Sequence, residues 1–98
     1  MITHVVLFKW LPGVSAETEA VRAFHAAMLE LPGQIPLIRS WDCGFNITGE
    51  DSQAADYVLV AGFDNQDALY QYFEHPLHLD VLKRLDGLAE LVFGDIPA

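Results

Sequence analysis

Residues 2–10 read ITHVVLFKW, and this stretch decides the fold. It is rich in β-branched and aromatic residues and is followed by the breaker Leu11-Pro12-Gly13, so it predicts a β-strand. Successive strand side chains point to opposite faces. The two faces are Ile2, His4, Val6, Phe8 and Trp10 on one side, and Thr3, Val5, Leu7 and Lys9 on the other. Because both sets are mostly apolar, we expect helices to cover one face and a second copy of the chain to cover the other.

A helix and two strands are predicted to follow. Ser15 is a good N-cap, and the apolar residues after it recur at helical spacing until Pro32-Gly33, which predicts an amphipathic helix lying on the sheet. The alternating run Ile35 to Phe45 and the β-branched run Tyr57 to Phe63 predict two strands. We expect these two strands to be antiparallel neighbours.

The C-terminal third predicts two short helices and a last strand. Asn65 is expected to cap a helix over Gln66 to Phe73. His75-Pro76 interrupts it, because the residue before a proline is disfavoured in the α region, and Pro76 can open a further helix. Leu91-Val92-Phe93 is predicted as the final strand.

The element order is therefore β-α-β-β-α(α)-β, which indicates an α+β, ferredoxin-like fold with a four-stranded antiparallel sheet. A chain of 98 residues is expected to form a single domain over residues 1–98. With helices on one side of the sheet, the apolar opposite side predicts a homodimer.

The charge balance excludes two classes of partner. Five Lys and Arg against 14 Asp and Glu give a net charge of −9. We therefore expect neither a nucleic acid nor an anionic membrane as a partner, since both attract basic surfaces. The single cysteine, Cys43, cannot form an internal disulfide, and no apolar run reaches membrane-spanning length. We therefore expect a cytoplasmic protein.

Four stretches resemble the stress-responsive dimeric α/β-barrel (Dabb) family: residues 4–10, 35–41, 57–63 and 72–78. The most specific are the N-terminal histidine strand and the His-Pro-x-His corner within YFEHPLH. The resemblance implies two ferredoxin-like sheets that close back to back into a barrel, with one cavity per subunit between sheet and helices. It implies no single activity, because members include stress-induced plant proteins and a plant branch that closes polyketide rings without a cofactor.

The resemblance to that cyclase branch implies roles for particular residues. His78 matches the acid/base, Tyr72 matches its assisting tyrosine, and His4 matches the histidine of the cavity wall. The chain differs at Tyr57, where the cyclases have a histidine on the cavity side.

The residues themselves favour the same chemistry but leave a structural alternative. His78 is predicted in the first turn of a helix, whose positive end disfavours the imidazolium and so should lower the pKa. A neutral imidazole suits proton abstraction next to a carbonyl, with Tyr72 stabilising the enolate oxygen. Alternatively, Tyr72 and His78 hydrogen-bond each other or the corner backbone, and His4 is a core histidine bonded to a helix end or water.

Other polar residues favour structural interpretations. His75 and His78 form only a partial ligand set, so we expect no native metal. His25 is expected at the edge of the helix–sheet contact, and Arg39 in a surface ion pair. Cys43 lacks a cationic neighbour, which argues against nucleophilic catalysis.

The resulting hypothesis is a homodimer that binds a small hydrophobic carbonyl compound and catalyses acid/base chemistry without a cofactor. Its catalytic residues would be His78, Tyr72 and His4. The predicted substrate-binding residues are Val6, Phe8, Phe24, Met28, Tyr57, Leu59 and Phe73. Two alternatives stay open: a non-catalytic, stress-associated stable dimer, and a cofactor-free monooxygenase.

Overall fold

The computed structural model describes residues 1–98 and contains four strands and three helices. In chain order they are β1 (Ile2–Trp10), α1 (Glu19–Gln34), β2 (Ser40–Phe45), β3 (Tyr57–Phe63), α2 (Gln66–Glu74), α3 (Pro76–Leu85) and β4 (Ala89–Pro97). The predicted α+β, ferredoxin-like order is confirmed. None of the helices is both long and apolar enough to cross a membrane.

The four strands form one antiparallel sheet in the order β2-β3-β1-β4. β1 therefore lies between β3 and β4, and its residues pair in register with both. His4 lies opposite Ala61 on β3 and opposite Asp95 on β4. Since directly paired residues share a face, Asp95 lies on the same side of the sheet as His4.

The first helix differs from the prediction at both ends. Ser15 is not its N-cap: residues 15–18 form a turn, in which Thr18 Oγ1 accepts from the Ser15 amide at 2.9 Å, and the helix begins after Thr18. Pro32 does not end it either, because the helix continues to Gln34. The helix continues for two residues after Pro32, and the Ile35 amide closes it by donating to the Leu31 carbonyl at 2.9 Å.

Two strands also have different lengths from those predicted. The run from Ile35 forms a turn first, and β2 covers only Ser40–Phe45. β4 is longer than Leu91-Val92-Phe93, because its pairing with β1 continues until Pro97 lies opposite Ile2. Gly94 and Pro97 disfavour a strand by composition, but β4 is an edge strand, where a proline costs no ladder hydrogen bond on the solvent side.

The helices cover only one face of the sheet. Val6 and Phe8 of β1 point toward them and are buried, with the core around Phe24, Met28 and Tyr57. The opposite face, hereafter the outer face, has no layer over it within the chain. Its apolar side chains include Val5, Leu7, Val58, Val60, Val92 and Ile96.

Candidate functional site

An apolar cavity of about 290 Å³ lies between the sheet and the two C-terminal helices. Ten of its twelve lining residues are hydrophobic, which suits a nonpolar ligand. The lining comprises His4, Val6 and Phe8 of β1, Leu59 of β3, Tyr72 and Phe73 of α2, His78, Val81, Leu82 and Leu85 of α3, and Leu91 and Phe93 of β4. Phe93 is 60% exposed and Leu91 38%, so the cavity opens at the β4 edge.

His4 is buried in the wall of this cavity and is held by a hydrogen bond to a carboxylate. Its Nδ1 lies 2.6 Å from Asp95 Oδ1, on the neighbouring strand. A carboxylate accepts hydrogen bonds, so Nδ1 carries the hydrogen and the other ring nitrogen, Nε2, is the acceptor in the neutral ring. Nε2 makes no hydrogen bond within the chain. Because every fully buried side-chain nitrogen or oxygen has a partner, an unbonded Nε2 must have some accessible surface. His4 Nε2 is therefore available to a molecule in the cavity.

His78 is oriented in the same way by the backbone. Its Nδ1 donates to the Phe73 carbonyl at 2.9 Å, and because a carbonyl only accepts, the neutral ring keeps Nε2 unprotonated. Burial lowers the pKa of His78 below its ordinary value of 6.5, the Phe73 hydrogen bond opposes this, and the nearby His4 and His75 lower it further. The predicted direction is confirmed, but the main cause is burial and not the helix end.

Tyr72 packs directly against His78. Their ring centroids are 4.3 Å apart, and Tyr72 also packs edge-on against His4 at 6.2 Å. Burial raises the pKa of Tyr72, so its phenol stays protonated. Its hydroxyl makes no hydrogen bond within the chain, so the alternative of a Tyr72–His78 hydrogen bond is not observed. The other form of that alternative is observed for His78, which bonds the corner backbone at Phe73.

Seven of the ten predicted site residues line the cavity, and three do not. The three outside are Phe24, Met28 and Tyr57. α1 lies over the β2 side of the sheet, where Trp41 Nε1 donates to the Met28 carbonyl at 3.0 Å and Phe24 packs on Tyr57 at 5.1 Å. These side chains are core residues, because the cavity lies at the opposite edge, under α3.

The structure adds residues that were not assigned to the site from sequence. Val81, Leu82 and Leu85 were assigned to an apolar helix face, and Leu91 and Phe93 to a strand, but not to a ligand cavity. Asp95 lay outside the predicted strand. The signal for it was present: Leu91, Phe93 and Asp95 alternate, and antiparallel pairing places them opposite Phe8, Val6 and His4.

The remaining polar candidates are used structurally. His75 Nδ1 accepts from the Leu77 amide at 3.1 Å and so caps α3. His25 Nδ1 and the Tyr57 hydroxyl share a hydrogen bond of 2.6 Å. Arg39 pairs with Asp64 at 2.9 Å, as predicted for a surface ion pair. No three side chains of the metal-binding types converge in the structure.

Taken together, His4, His78 and Tyr72 line an otherwise apolar cavity, and the two Nε2 atoms and the phenol hydroxyl make no hydrogen bond within the chain. An acceptor and a donor on one wall can take a proton from carbon and stabilise the resulting oxyanion. The mostly apolar lining lowers the local dielectric constant, which strengthens such interactions.

Comparison with known protein families identifies one match. The family model of the "Stress responsive A/B Barrel Domain", Dabb, matches residues 2–94. An uncharacterised protein of Streptomyces coelicolor is 41% identical over 78 residues, which cover 80% of this chain and 79% of that protein.

Solved structures share the whole fold. A dimeric ferredoxin-like protein of unknown function from Bacteroides fragilis has a TM-score of 0.86 at 29% identity, covering 99% of this chain and 95% of that one. A similar dimeric protein from Thermobifida fusca has a TM-score of 0.85 at 26% identity, with 99% and 90% coverage. Two enzymes share the fold at 16% identity. Hydroxynitrile lyase from Passiflora edulis has a TM-score of 0.79, covering 97% of this chain and 90% of that one. The cofactor-independent oxygenase SnoaB from Streptomyces nogalater has a TM-score of 0.74, covering 99% of this chain and 91% of that one.

Proposed function

The chain belongs to the stress-responsive A/B barrel domain (Dabb) family, and on that premise we propose that it forms a homodimer whose subunits each bind a small hydrophobic carbonyl compound. In this proposal the cavity catalyses proton transfer on that compound without a cofactor. The observation that carries it is His78: a half-buried imidazole with a lowered pKa, whose Nδ1 is fixed to the Phe73 carbonyl so that Nε2 is the free acceptor.

The proposed step is abstraction of a proton from the carbon next to the carbonyl. The C–H bond breaks, the proton goes to His78 Nε2, and the electron pair moves onto the carbonyl oxygen. Tyr72 keeps its proton and donates a hydrogen bond to that oxygen, and the protonated His78 returns its proton to carbon at the end of the cycle. His4, held by Asp95, orients the bound compound through Nε2.

Two further observations support the proposal. The apolar lining matches a hydrocarbon chain, and the only polar groups among it are the residues just assigned. The uncovered outer face gives a second copy an apolar surface to pack on, and solved relatives from Bacteroides fragilis and Thermobifida fusca are described as dimeric. The lyase and the oxygenase with this fold support the idea that the scaffold accommodates catalysis.

The test is deuterium exchange into octan-2-one, a ketone whose α-protons exchange slowly in neutral buffer. We expect the protein to accelerate exchange in D₂O, measured by NMR, and His78→Gln to remove about two orders of magnitude or more of that acceleration, the usual contribution of a general base. Tyr72→Phe should lower the rate while octan-2-one still binds. His25→Gln, a histidine outside the cavity, is the matched control and should leave the rate unchanged.

Each alternative has its own outcome in this experiment. Exchange no faster than in buffer, or equally fast in His78→Gln, contradicts the catalytic proposal. If octan-2-one binds in that case, the protein is a binding protein; if it does not bind and both variants only lower thermal stability, the non-catalytic stable dimer is favoured. Uptake of dioxygen with a quinol would favour the oxygenase alternative.

A further inference from the structure

A surface groove continues the cavity toward solvent. It runs between α3 and the start of β4, has a volume of about 640 Å³ and is open to solvent. Its lining is Leu79, Leu82, Lys83, Leu85, Asp86, Ala89 and Leu91. Leu82, Leu85 and Leu91 also line the cavity, so the two spaces meet at these three side chains. Leu82 is 39% exposed and Leu91 38%, so a molecule that leaves the cavity past these two side chains meets the groove.

A free cation lies in this groove. Of the five Lys and Arg in the chain, Lys9, Arg22 and Arg39 each form an ion pair with a carboxylate. Lys83 and Arg84 form none, and of these two only Lys83 lines the groove, where Asp86 also lies. In a chain of net charge −9, an unpaired ammonium group beside an apolar channel is a position where a negative charge is locally stabilised.

The size of the cavity indicates how long a ligand must be to reach this cation. A cavity of about 290 Å³ is at the lower end of the roughly 300–1,000 Å³ of small-molecule sites, so it suits a short ligand. An unbranched compound too long for the cavity must place its remaining atoms outside it, and the groove that holds Lys83 is the adjoining apolar surface.

We propose that the preferred ligand is an elongated aliphatic keto acid, with its ketone in the cavity and its terminal carboxylate at Lys83 Nζ. The proposal rests on the proposed function, since it takes the carbonyl to lie beside His78. The aliphatic chain of the ligand would pass along the apolar side chains of Leu82, Leu85 and Leu91. The dimer does not compete, because Leu91 pairs with Phe8 and so faces the helix side of the sheet, away from the outer face.

The experiment compares the dissociation constants of two isosteric probes, 9-oxodecanoic acid and 9-oxodecanamide, with octan-2-one as a probe too short to reach the groove. We expect the wild type to bind the acid about two- to five-fold more tightly than the amide, the range of an exposed ion pair. Lys83→Met keeps the apolar stem and should abolish this preference. Arg84→Met, which removes a neighbouring cation outside the groove lining, should retain it.

Two further variants test the route of the chain. Asp86→Asn removes the carboxylate that repels the acid, so the preference for the acid should increase. Leu79→Trp narrows the groove outside the cavity and should weaken both long probes while octan-2-one binds as before. An unchanged affinity for the long probes in Leu79→Trp would show that the ligand takes another path and would overturn the inference.

The outcomes separate this inference from the proposed function. If octan-2-one binds but the wild type does not distinguish acid from amide, or if Lys83→Met keeps the preference, the groove inference is wrong and the cavity stands. If none of the three probes binds, the cavity itself is not a ligand site and both fail. If another copy of the chain occupies the groove, Leu79→Trp weakens self-association and leaves probe binding unchanged, which also overturns the inference.

Discussion

Two buried tyrosines show how one hydrogen bond separates a structural residue from a candidate catalytic one. Tyr57 and Tyr72 are 0% and 1% exposed, but only the Tyr57 hydroxyl has a partner, His25 Nδ1 at 2.6 Å. We expect Tyr57→Phe to lower the free energy of unfolding by about 1 kcal/mol, the net value of a typical hydrogen bond. Tyr72→Phe should cost clearly less. Urea denaturation of the two variants measures this, and an equal loss in both would contradict the assignment.

The titration of His78 predicts a pH dependence of stability. Its pKa in the folded protein lies below the ordinary 6.5, so between these two values the unfolded chain binds more protons than the folded one. Stability is therefore fully present above pH 6.5 and falls as the pH decreases toward the pKa of the folded state. The urea midpoint of the wild type should decrease in this window. In His78→Gln, whose side-chain amide can still donate to the Phe73 carbonyl, that part of the decrease should vanish. A decrease as large as that of the wild type would rule out His78 as its source.

For single residues, the sequence predicts where a side chain lies better than it predicts the group to which that side chain hydrogen-bonds. Period-2 alternation placed His4 on the helix side of β1, and the proline corner placed His78 in a first helical turn. The partners could not be predicted in the same way. Asp95 is 91 residues away from His4 and required the exact register of β4, while the Phe73 carbonyl is a backbone group that carries no side-chain signal.

Among the elements, the α2–α3 corner depends on a histidine used as an N-cap. His75 Nδ1 accepts from the Leu77 amide, and Pro76 occupies the next position, where no amide hydrogen is needed. We expect His75→Ala to lower the free energy of unfolding by about 1 kcal/mol, the usual cost of losing a cap. His75→Asn, which restores a capping acceptor, should recover most of it. Equal destabilisation by both variants in chemical denaturation would show that the cap does not hold the corner.

The elements that were predicted well carry strong local signals, and those that were not depend on neighbours. Asn65 caps α2 as expected, through a 2.9 Å bond from the Ala68 amide. In contrast, Gly94 and Pro97 reduce the strand signal of β4, and pairing with β1 overrides it. The position of the cavity was not predictable either, because it depends on α3, and not α1, covering the β1–β4 half of the sheet.

At the scale of the whole molecule, the asymmetry of the sheet connects the fold to the site. Helices cover one face and enclose the cavity, which leaves the outer face as the surface on which a second copy can pack. The cavity opens on the helix side at the β4 edge, so the proposed ligand and the second copy would use different surfaces of the same strand. This separation allows the two proposals to be tested independently.

A charged substitution on the outer face tests the homodimer. Val92 of β4 is 71% exposed and lies on this face beside Leu7 of β1. If a second copy covers this face, Val92→Glu buries an unpaired charge in a dimer whose two chains, at −9 each, already carry −18. We therefore expect the dimer dissociation constant to rise by at least about tenfold, or 1.4 kcal/mol. Leu29→Glu, on a residue of α1 that is 56% exposed, adds the same charge on the helix side and is the control. Sedimentation velocity across a concentration series measures both. A wild type that sediments as a monomer throughout, or a Val92→Glu variant that dimerises as well as Leu29→Glu, would contradict the homodimer.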